Sequence, residues 1–399
     1  AWAMGLLLGA ACGGKPAQTT GESVVRLDDQ HYLGRAVTVE NLTVWPVFSD
    51  RPLEIGEFLT LQEAQERELA VVREAGAGGG RQSAATAPNE PRPGQEQPGG
   101  QVDARQVQVA VRQLAQGGAT VGTLVIENKG DLPILVCAGT VVKGGKQDRQ
   151  IGQDFVIQAK STTPVDAFCV EQGRWSALRN GVQTGGTFEA TIVAPKAVRA
   201  SGQYAKDQGK VWQEVRKTNE ARVVEGAQPA AAAFSATSLS FGVEMADEKA
   251  RAADERLSKA VHAYFARRRE EGREPVGFAY AIDGKPVAVR TFAHPRILRG
   301  QLDGFVRAMC LEADVARRAA HTRDETGFEQ ASADDVVALV REINAAEEKL
   351  QQTAAGNTNG YRESQRGFSA SCYIEPQLRG REGGPKIRRV ALTRDWTVK

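Results

Sequence analysis

The densest group of chemically capable side chains lies in residues 143–149, which combine three cations, an amide and a carboxylate around two adjacent glycines. A glycine pair lets the main chain come close to a ligand and turn its N–H groups towards it. Lys143, Lys146 and Arg149 can neutralise a phosphate, and the guanidinium can hold it in a bidentate manner. The residues equally allow a charged hairpin turn in which Asp148 pairs with a neighbouring cation. The predicted ligand-binding residues here are Lys143, Gly144, Gly145, Lys146, Gln147 and Arg149.

A second polar group follows an apolar run in residues 164–175. Glu171 ends the run and is suited to act as a general base, while Trp175 can stack on a base or a sugar. With Asp148 as a further base and Arg149 or Arg174 stabilising developing charge, the two groups also suit hydrolysis of a phosphoester or glycosidic bond. The alternative is structural: Glu171 pairs with Arg174 across the turn and Trp175 covers the core.

Several kinds of site are not predicted. The net charge is +2, which gives no electrostatic case for binding nucleic acid. A P-loop requires Gly-Lys-Ser/Thr, but Lys146 is followed by Gln147. The four histidines have no metal-ligand spacing, and no dinucleotide-binding glycine motif follows a strand. We therefore predict no metal and no cofactor, and a small anionic molecule as the partner.

The first twelve residues are mostly apolar and end at Cys12. The run is shorter than the ~20 residues that a membrane-spanning helix needs, and it suits the apolar region of an export signal. Small residues followed by Cys resemble a bacterial lipoprotein signal, which is cleaved before a lipid-carrying cysteine. We predict lipidation at Cys12, membrane contact through that lipid alone, and a location on the bacterial envelope; without this signal the location is cytoplasmic.

Apolar periodicity predicts the elements that must position these groups. Runs rich in β-branched residues predict strands, and apolar residues three or four apart predict helices. Thr60 and Glu63 have the spacing of a capping box, and Asp283-Gly284 is typical of a hairpin turn. The fold class is α+β, an antiparallel β-sheet core with flanking amphipathic helices. Strands are predicted at residues 36–48, 107–114, 121–127, 132–142 (a hairpin with the preceding run), 154–159, 165–171, 187–193, 276–290, 367–375 and 386–395, and helices at 60–73, 203–220, 246–273, 295–320 and 332–352.

The chain divides by composition. Residues 1–12 form the signal-like segment and 13–32 a polar tether. Residues 33–320 form the main α+β domain, with a flexible Gly- and Pro-rich insertion at 75–101 that lacks the apolar surface needed to offset its ordering entropy. Residues 321–399, a helix and a strand pair, are expected to pack on the same domain. The sequence leaves the oligomeric state open.

Six segments together resemble one bacterial and plant family, the ARG and Rhodanese-Phosphatase-superfamily-associated protein domain, in which ARG stands for ADP-ribosylglycohydrolase. The resemblance covers roughly residues 33–320 and implies an association with ADP-ribose handling rather than a known activity. Carried over by motif, it nominates Lys146, Gln147, Asp148, Arg149, Glu171, Arg174 and Trp175. The segments are residues 42–48, 127–131, 138–149, 164–175, 208–212 and 276–284.

Three functions follow from these observations. The first is a binding domain for a phosphorylated or anionic ligand similar to ADP-ribose or a nucleotide. The second is a hydrolase of an ADP-ribose-like substrate, with Asp148 and Glu171 as catalytic residues. The third is a structural envelope lipoprotein without a small ligand. The first two require residues 143–149 and 171–175 to meet in space around one shared pocket.

Overall fold

The computed structural model describes residues 18–20, 25–75, 122–172, 178–179, 182–183, 186–222, 238–239, 248–270, 272, 274–322, 330–374 and 389–399. These residues form an α+β fold with an antiparallel core, which confirms the predicted class. The helices in the described ranges are α1 (Leu61–Glu66), α2 (Lys196–Gln203), α3 (Gln208–Glu220), α4 (Glu248–Glu270), α5 (Pro295–Thr322) and α6 (Ala333–Asn344).

A large antiparallel sheet forms one half of the fold. Its main path runs β1-β4-β5-β17-β18-β22-β21-β20-β19, and β2 and β3 extend it beside β5. β22 therefore lies inside the sheet, between β18 and β21. The strands are β1 (Gln18–Thr20), β2 (Val25–Arg26), β3 (His31–Leu33), β4 (Ala36–Val39), β5 (Leu42–Ser49), β17 (Gly277–Ile282), β18 (Lys285–Phe292), β19 (Lys349–Gln352), β20 (Thr358–Glu363), β21 (Gly367–Ile374) and β22 (Val390–Val398).

Helices cover both faces of this sheet because alternate residues of each strand point to opposite sides. Val44 packs with apolar residues of α4 and α5, whereas its neighbour Trp45 packs on the other face with α6. Helices α4, α5 and α6 thus bury their apolar sides on the large sheet. Within the described ranges, no helix combines the length and the apolar character needed to cross a membrane.

The other half is a closed barrel of six antiparallel strands in the order β10-β11-β13-β8-β7-β16. Its interior is filled by aliphatic side chains and Phe188, as expected for a barrel with so few strands. Helices α2 and α3 pack outside it. The strands are β7 (Ala70–Glu74), β8 (Thr123–Asn128), β10 (Thr140–Gly144), β11 (Arg149–Ile151), β13 (Ser161–Cys169) and β16 (Thr187–Val193).

Two smaller sheets complete the described strands. One has the order β12-β9-β6, with β6 and β9 parallel, and the other pairs β14 with β15. Their bounds are β6 (Leu59–Thr60), β9 (Ile134–Val136), β12 (Phe155–Ile157), β14 (Leu178–Arg179) and β15 (Val182–Gln183).

Local signals in the sequence were reliable. Thr60 caps α1, and Glu63 completes the capping box by accepting from the Thr60 N–H. Asp283 and Gly284 both have positive φ and join β17 to β18 as the predicted hairpin. The first helix is shorter than expected, however. It ends at Glu66 because Glu68 has a positive φ, and the chain then enters β7.

The predicted hairpin of residues 121–127 and 132–142 is wrong. β8 pairs with β7 and β13, whereas β9 pairs with β12 and β6. The Asn128 side chain accepts from the Gly130 N–H and donates to carbonyl oxygens of Leu132, Ile157 and Gln158. This side chain turns the strand end away from its sequence neighbour.

Two predicted helices also differ in extent. The segment predicted as one helix at residues 203–220 is α3, and α2 precedes it, with Asp207 capping α3. The helix predicted for residues 332–352 is shorter in the structure. It ends as α6 at Asn344, and residues 349–352 form β19. Predictions in three segments fall outside the described residues. Cys12 lies in residues 1–17, and most of the predicted insertion and the 107–114 strand lie in residues 76–121. Arg174 and Trp175 lie in residues 173–177.

Candidate functional site

The two stretches singled out in the sequence meet at one end of the barrel, because β11 pairs with β13. Arg149 lies opposite Cys169, and Gln150 lies opposite Phe168. We call this end of the barrel the mouth, and the following residues the mouth cluster: Gln147, Asp148, Arg149, Cys169 and Glu171.

Strand parity decides which side chains face the barrel interior. Ile151 and Ala167 belong to the interior core, and residues two positions along a strand share a face. Arg149 and Cys169 therefore point into the mouth. Gln150 points outwards, where it donates to the Val198 carbonyl of α2.

Arg149 is the central cation of the mouth. It is 5% exposed, and its Nη1 donates to Gln147 Oε1 at 3.0 Å and to Cys169 Sγ at 2.9 Å. Both acceptors are uncharged side chains. The hydrogen bonds that the described residues give Arg149 all use Nη1, so the edge formed by Nε and Nη2 has no acceptor among them.

Gln147 contributes a second buried donor. The residue is fully buried, and its Nε2 has no hydrogen-bond partner within the described part of the chain. Its Oε1 is fixed as the acceptor because it receives Arg149 Nη1. The amide nitrogen and the guanidinium thus place donors in the same small volume.

Two carboxylates, both fully buried, are held beside this cation. The Asp148 main-chain N–H donates to Glu171 Oε2 at 3.0 Å, and Asp148 Oδ1 accepts from the Gly144 N–H at 3.1 Å. The Val170 N–H in turn donates to the Asp148 carbonyl. Both carboxylates make further interactions as well. Their orientation is therefore set by main-chain groups of the mouth.

The Cys169 thiol lies against the guanidinium. Burial raises the pKa of Cys169, and the positive charge of Arg149 lowers it in part. The net direction is upwards, so the thiol is held in its neutral form at pH 7 and acts as an acceptor. This geometry does not favour a nucleophilic thiolate.

Gly144 and Gly145 allow close packing against β16 and do not form an open ligand-binding loop. A Cβ on Gly145 would lie 2.3 Å from Phe188 Cζ, and one on Gly144 would lie 2.3 Å from the Thr187 carbonyl oxygen. The Gly145 N–H donates to that same oxygen. The close approach that glycine allows here is made by β16.

The lysines of this turn lie nearer the surface. Lys146 is exposed, and its main-chain N–H donates to Glu74 Oε1 at 3.0 Å; Lys143 is half-buried. They line the rim of the mouth rather than its interior. Within the described residues, no group of three or more His, Cys, Asp or Glu side chains is placed to hold a metal ion.

Sequence reasoning missed a set of buried charges between the barrel and the large sheet: Asp154, Arg199, Arg290 and Asp395. Arg290 Nη2 donates to Asp154 Oδ2, and Arg199 Nη1 donates to Asp395 Oδ2, each at 2.6 Å. The available signal was a charged residue within an apolar strand run. Arg290 and Asp395 both occur in that setting, which is characteristic of a buried ion pair.

A family match follows from comparison with known proteins. The model of a family described as the ARG and Rhodanese-Phosphatase-superfamily-associated Protein domain matches residues 30–379. This range contains the whole mouth cluster and extends beyond residue 320 to include α6 and β19 to β21. No curated protein and no solved structure matches the chain.

Proposed function

The chain belongs to the family of the ARG and Rhodanese-Phosphatase-superfamily-associated Protein domain, and from that premise we propose that it binds a small phosphorylated or anionic ligand at the mouth cluster. The observation that carries the proposal is Arg149, a residue only 5% exposed whose hydrogen bonds to the described residues all use Nη1, which leaves the edge formed by Nε and Nη2 without an acceptor among them.

A buried guanidinium is costly unless an anion or good acceptors satisfy it. Nε and Nη2 point along one edge of the guanidinium, the edge that binds two oxygens of a phosphate or carboxylate side by side. Gln147 Nε2 adds a further donor to the same volume. An oxyanion therefore matches both the charge and the hydrogen-bonding capacity of these two side chains.

The nearby carboxylates do not replace such a ligand. Asp148 and Glu171 accept main-chain N–H groups, and the hydrogen bonds that Arg149 makes among the described residues go to Gln147 and Cys169 rather than to a carboxylate. They offset part of the positive charge from a distance. Lys143 and Lys146 at the rim extend the positive field outwards, where it attracts an anion.

The family description makes ADP-ribose a reasonable first ligand to test. We expect calorimetry on the folded full chain to detect binding of ADP-ribose or of inorganic phosphate. Arg149→Met should weaken that binding by about tenfold to a hundredfold, because a charge-assisted bidentate contact contributes about 1.5–3 kcal/mol. Arg149→Lys should restore it only in part, since an ammonium lacks the two-donor edge.

Arg73→Met is the matched control. Arg73 is a half-buried arginine of the barrel that pairs with Glu127 on the neighbouring strand. Its replacement should leave affinity unchanged. The proposal fails if no tested anion binds the folded protein, or if Arg149→Met binds as tightly as the wild-type chain.

A second candidate function is hydrolysis of an ADP-ribose-like substrate. The observation that favours it is the contact from the Asp148 main-chain N–H to Glu171 Oε2, which brings two residues with fully buried carboxylates together at the mouth. Paired carboxylates are common in acid–base catalysis. Release of ribose or phosphate that persists unchanged in both Asp148→Asn and Glu171→Gln would remove this candidate.

We also propose that the protein is exported and anchored through a lipid on Cys12. Support comes from the apolar run before this cysteine and from the family match, which begins at residue 30 and leaves the signal-like segment outside the domain. Labelling with a radioactive fatty acid should mark the wild-type chain and not Cys12→Ala. Equal labelling of the two would remove the proposal.

A further inference from the structure

A small cavity lies between the large sheet, α2 and α5, away from the mouth cluster. The space open to the centre of a water molecule is about 10 Å³, which is enough for one water. Its polar lining consists of Lys196, Arg199, Tyr280, Arg290, Glu312 and Asp395.

Arg290 and Asp395 face each other in this cavity because they are direct partners in the β18–β22 ladder. Arg290 Nη1 and Asp395 Oδ1 are 3.7 Å apart, which is too far for a hydrogen bond. Neither atom has a hydrogen-bond partner among the described residues, and each residue is 1% exposed. A donor and an acceptor are thus aimed at the same buried space.

One further atom of each group is already engaged, whereas Arg290 Nε, like Nη1, has no hydrogen-bond partner among the described residues. Arg290 Nη2 donates to Asp154, and Asp395 Oδ2 accepts from Arg199 and from the Tyr204 hydroxyl. These contacts hold both side chains in place. The unpartnered atoms cannot simply rotate towards each other without breaking an ion pair.

From this geometry we propose that the cavity is a binding site for one water molecule, which accepts from Arg290 Nη1 and donates to Asp395 Oδ1. Two atoms 3.7 Å apart can each lie at hydrogen-bond distance from a single bridging oxygen. The occupant must both accept and donate. A halide can only accept and would face the Asp395 carboxylate, whereas a metal cation would face two guanidinium groups.

The bridge would join two ion pairs into one chain. Asp154 precedes β12, Arg290 and Asp395 belong to the large sheet, and Arg199 belongs to α2 on the barrel surface. With the water, Asp154, Arg290, Asp395 and Arg199 form one chain of four charged side chains. The water gives partners to two buried polar atoms of this chain, and such atoms are costly in a low-dielectric interior when they have none.

A crystal structure of the full chain at a resolution that shows ordered water tests the proposal. Crystals are grown in bromide, with chloride-grown crystals as the control. We expect a density peak at about 2.6–3.2 Å from both atoms, with no anomalous bromide signal. A bromide peak at that position would identify an anion site and overturn the proposal, as would an empty cavity or direct contact between Arg290 Nη1 and Asp395 Oδ1.

Discussion

Arg149 Nη1 lies 2.9 Å from Cys169 Sγ, across the ladder that joins β11 to β13 at the barrel mouth. The contact connects the two segments that the sequence singled out separately. It also assigns the thiol a role, since a buried neutral sulfur beside a guanidinium acts as a hydrogen-bond acceptor.

Removal of that acceptor should destabilise the barrel. Cys169→Val keeps the buried volume similar but leaves Arg149 with one acceptor fewer, and we expect the free energy of unfolding to fall by about 1–3 kcal/mol. Cys169→Ser retains an acceptor and should lose less. Urea denaturation of both variants measures the difference; a valine variant as stable as the serine variant would contradict the role.

The packing of Phe188 against the glycine pair gives a second expectation. Gly145 has φ +46°, and an added Cβ would meet the Phe188 ring at 2.3 Å. Gly145→Ala should therefore reduce stability by about 1–3 kcal/mol, the cost typical of overpacking. Gly186→Ala is the control because no described residue lies within 4 Å of its Cβ position. Equal melting temperatures for Gly145→Ala and Gly186→Ala would show that the Phe188 ring moves aside without loss of stability, and would contradict the prediction.

The capping box of α1 can be tested directly. Thr60→Ala removes the oxygen that accepts the Glu63 N–H at 3.0 Å. Loss of an N-cap side chain costs about 1 kcal/mol. Thr60→Ser should retain most of the stability, which urea denaturation will show. If alanine and serine at this position give the same midpoint, the cap contributes nothing.

Acid stability should depend on Asp28. Burial opposes its ionisation, but hydrogen bonds from His31 and from main-chain N–H groups outweigh burial and lower the pKa of Asp28 from 3.8 to about 2. A carboxyl group whose pKa is lower in the folded than in the unfolded chain stabilises the fold at any pH above its unfolded-state pKa. This stabilisation is lost as the pH falls through the folded-state pKa.

Asp28→Asn should accordingly be less stable than the wild-type chain above pH 4, and the difference should shrink between pH 4 and pH 2. Denaturation midpoints measured across that range test this. Asp29→Asn is the control at an exposed neighbouring position. Its denaturation midpoints should differ from those of the wild-type chain by a constant amount across this pH range. A difference from wild type that stays constant down to pH 2 would contradict the assignment.

The buried ion pair between Arg199 and Asp395 should be important to stability. Asp395→Asn leaves a buried guanidinium without its counterion, which typically costs about 3–5 kcal/mol. Asp131→Asn is the control because Asp131 pairs with Lys160 at an exposed site, where ion pairs contribute little. Similar unfolding midpoints for these two variants would show that Asp395 is not required as an anion.

Sequence patterns predicted local structure better than they predicted which strands pair with each other. The Thr60 cap and the Asp283-Gly284 turn depend on residues within four positions of each other, and both were found. The partners of β8 were missed because apolar alternation identifies a strand but carries no information on which strand lies beside it.

The same limit applies to the candidate site. Composition grouped Lys146 and Arg149 as equal cations, but only strand pairing shows that Arg149 points into the barrel while Lys146 lies at the surface. The contribution of Phe188 could not be anticipated either, since it lies on β16, some forty residues later in the chain.

The interior position of β22 affects how the protein can fold during synthesis. β18 and β21 leave the ribosome before residues 390–398, yet each needs β22 as its neighbour. Until that last segment emerges, the two parts of the sheet have exposed edges that can pair with other chains. We therefore expect nascent chains that stall before residue 390 to aggregate or to recruit chaperones, even though the barrel strands have already been made.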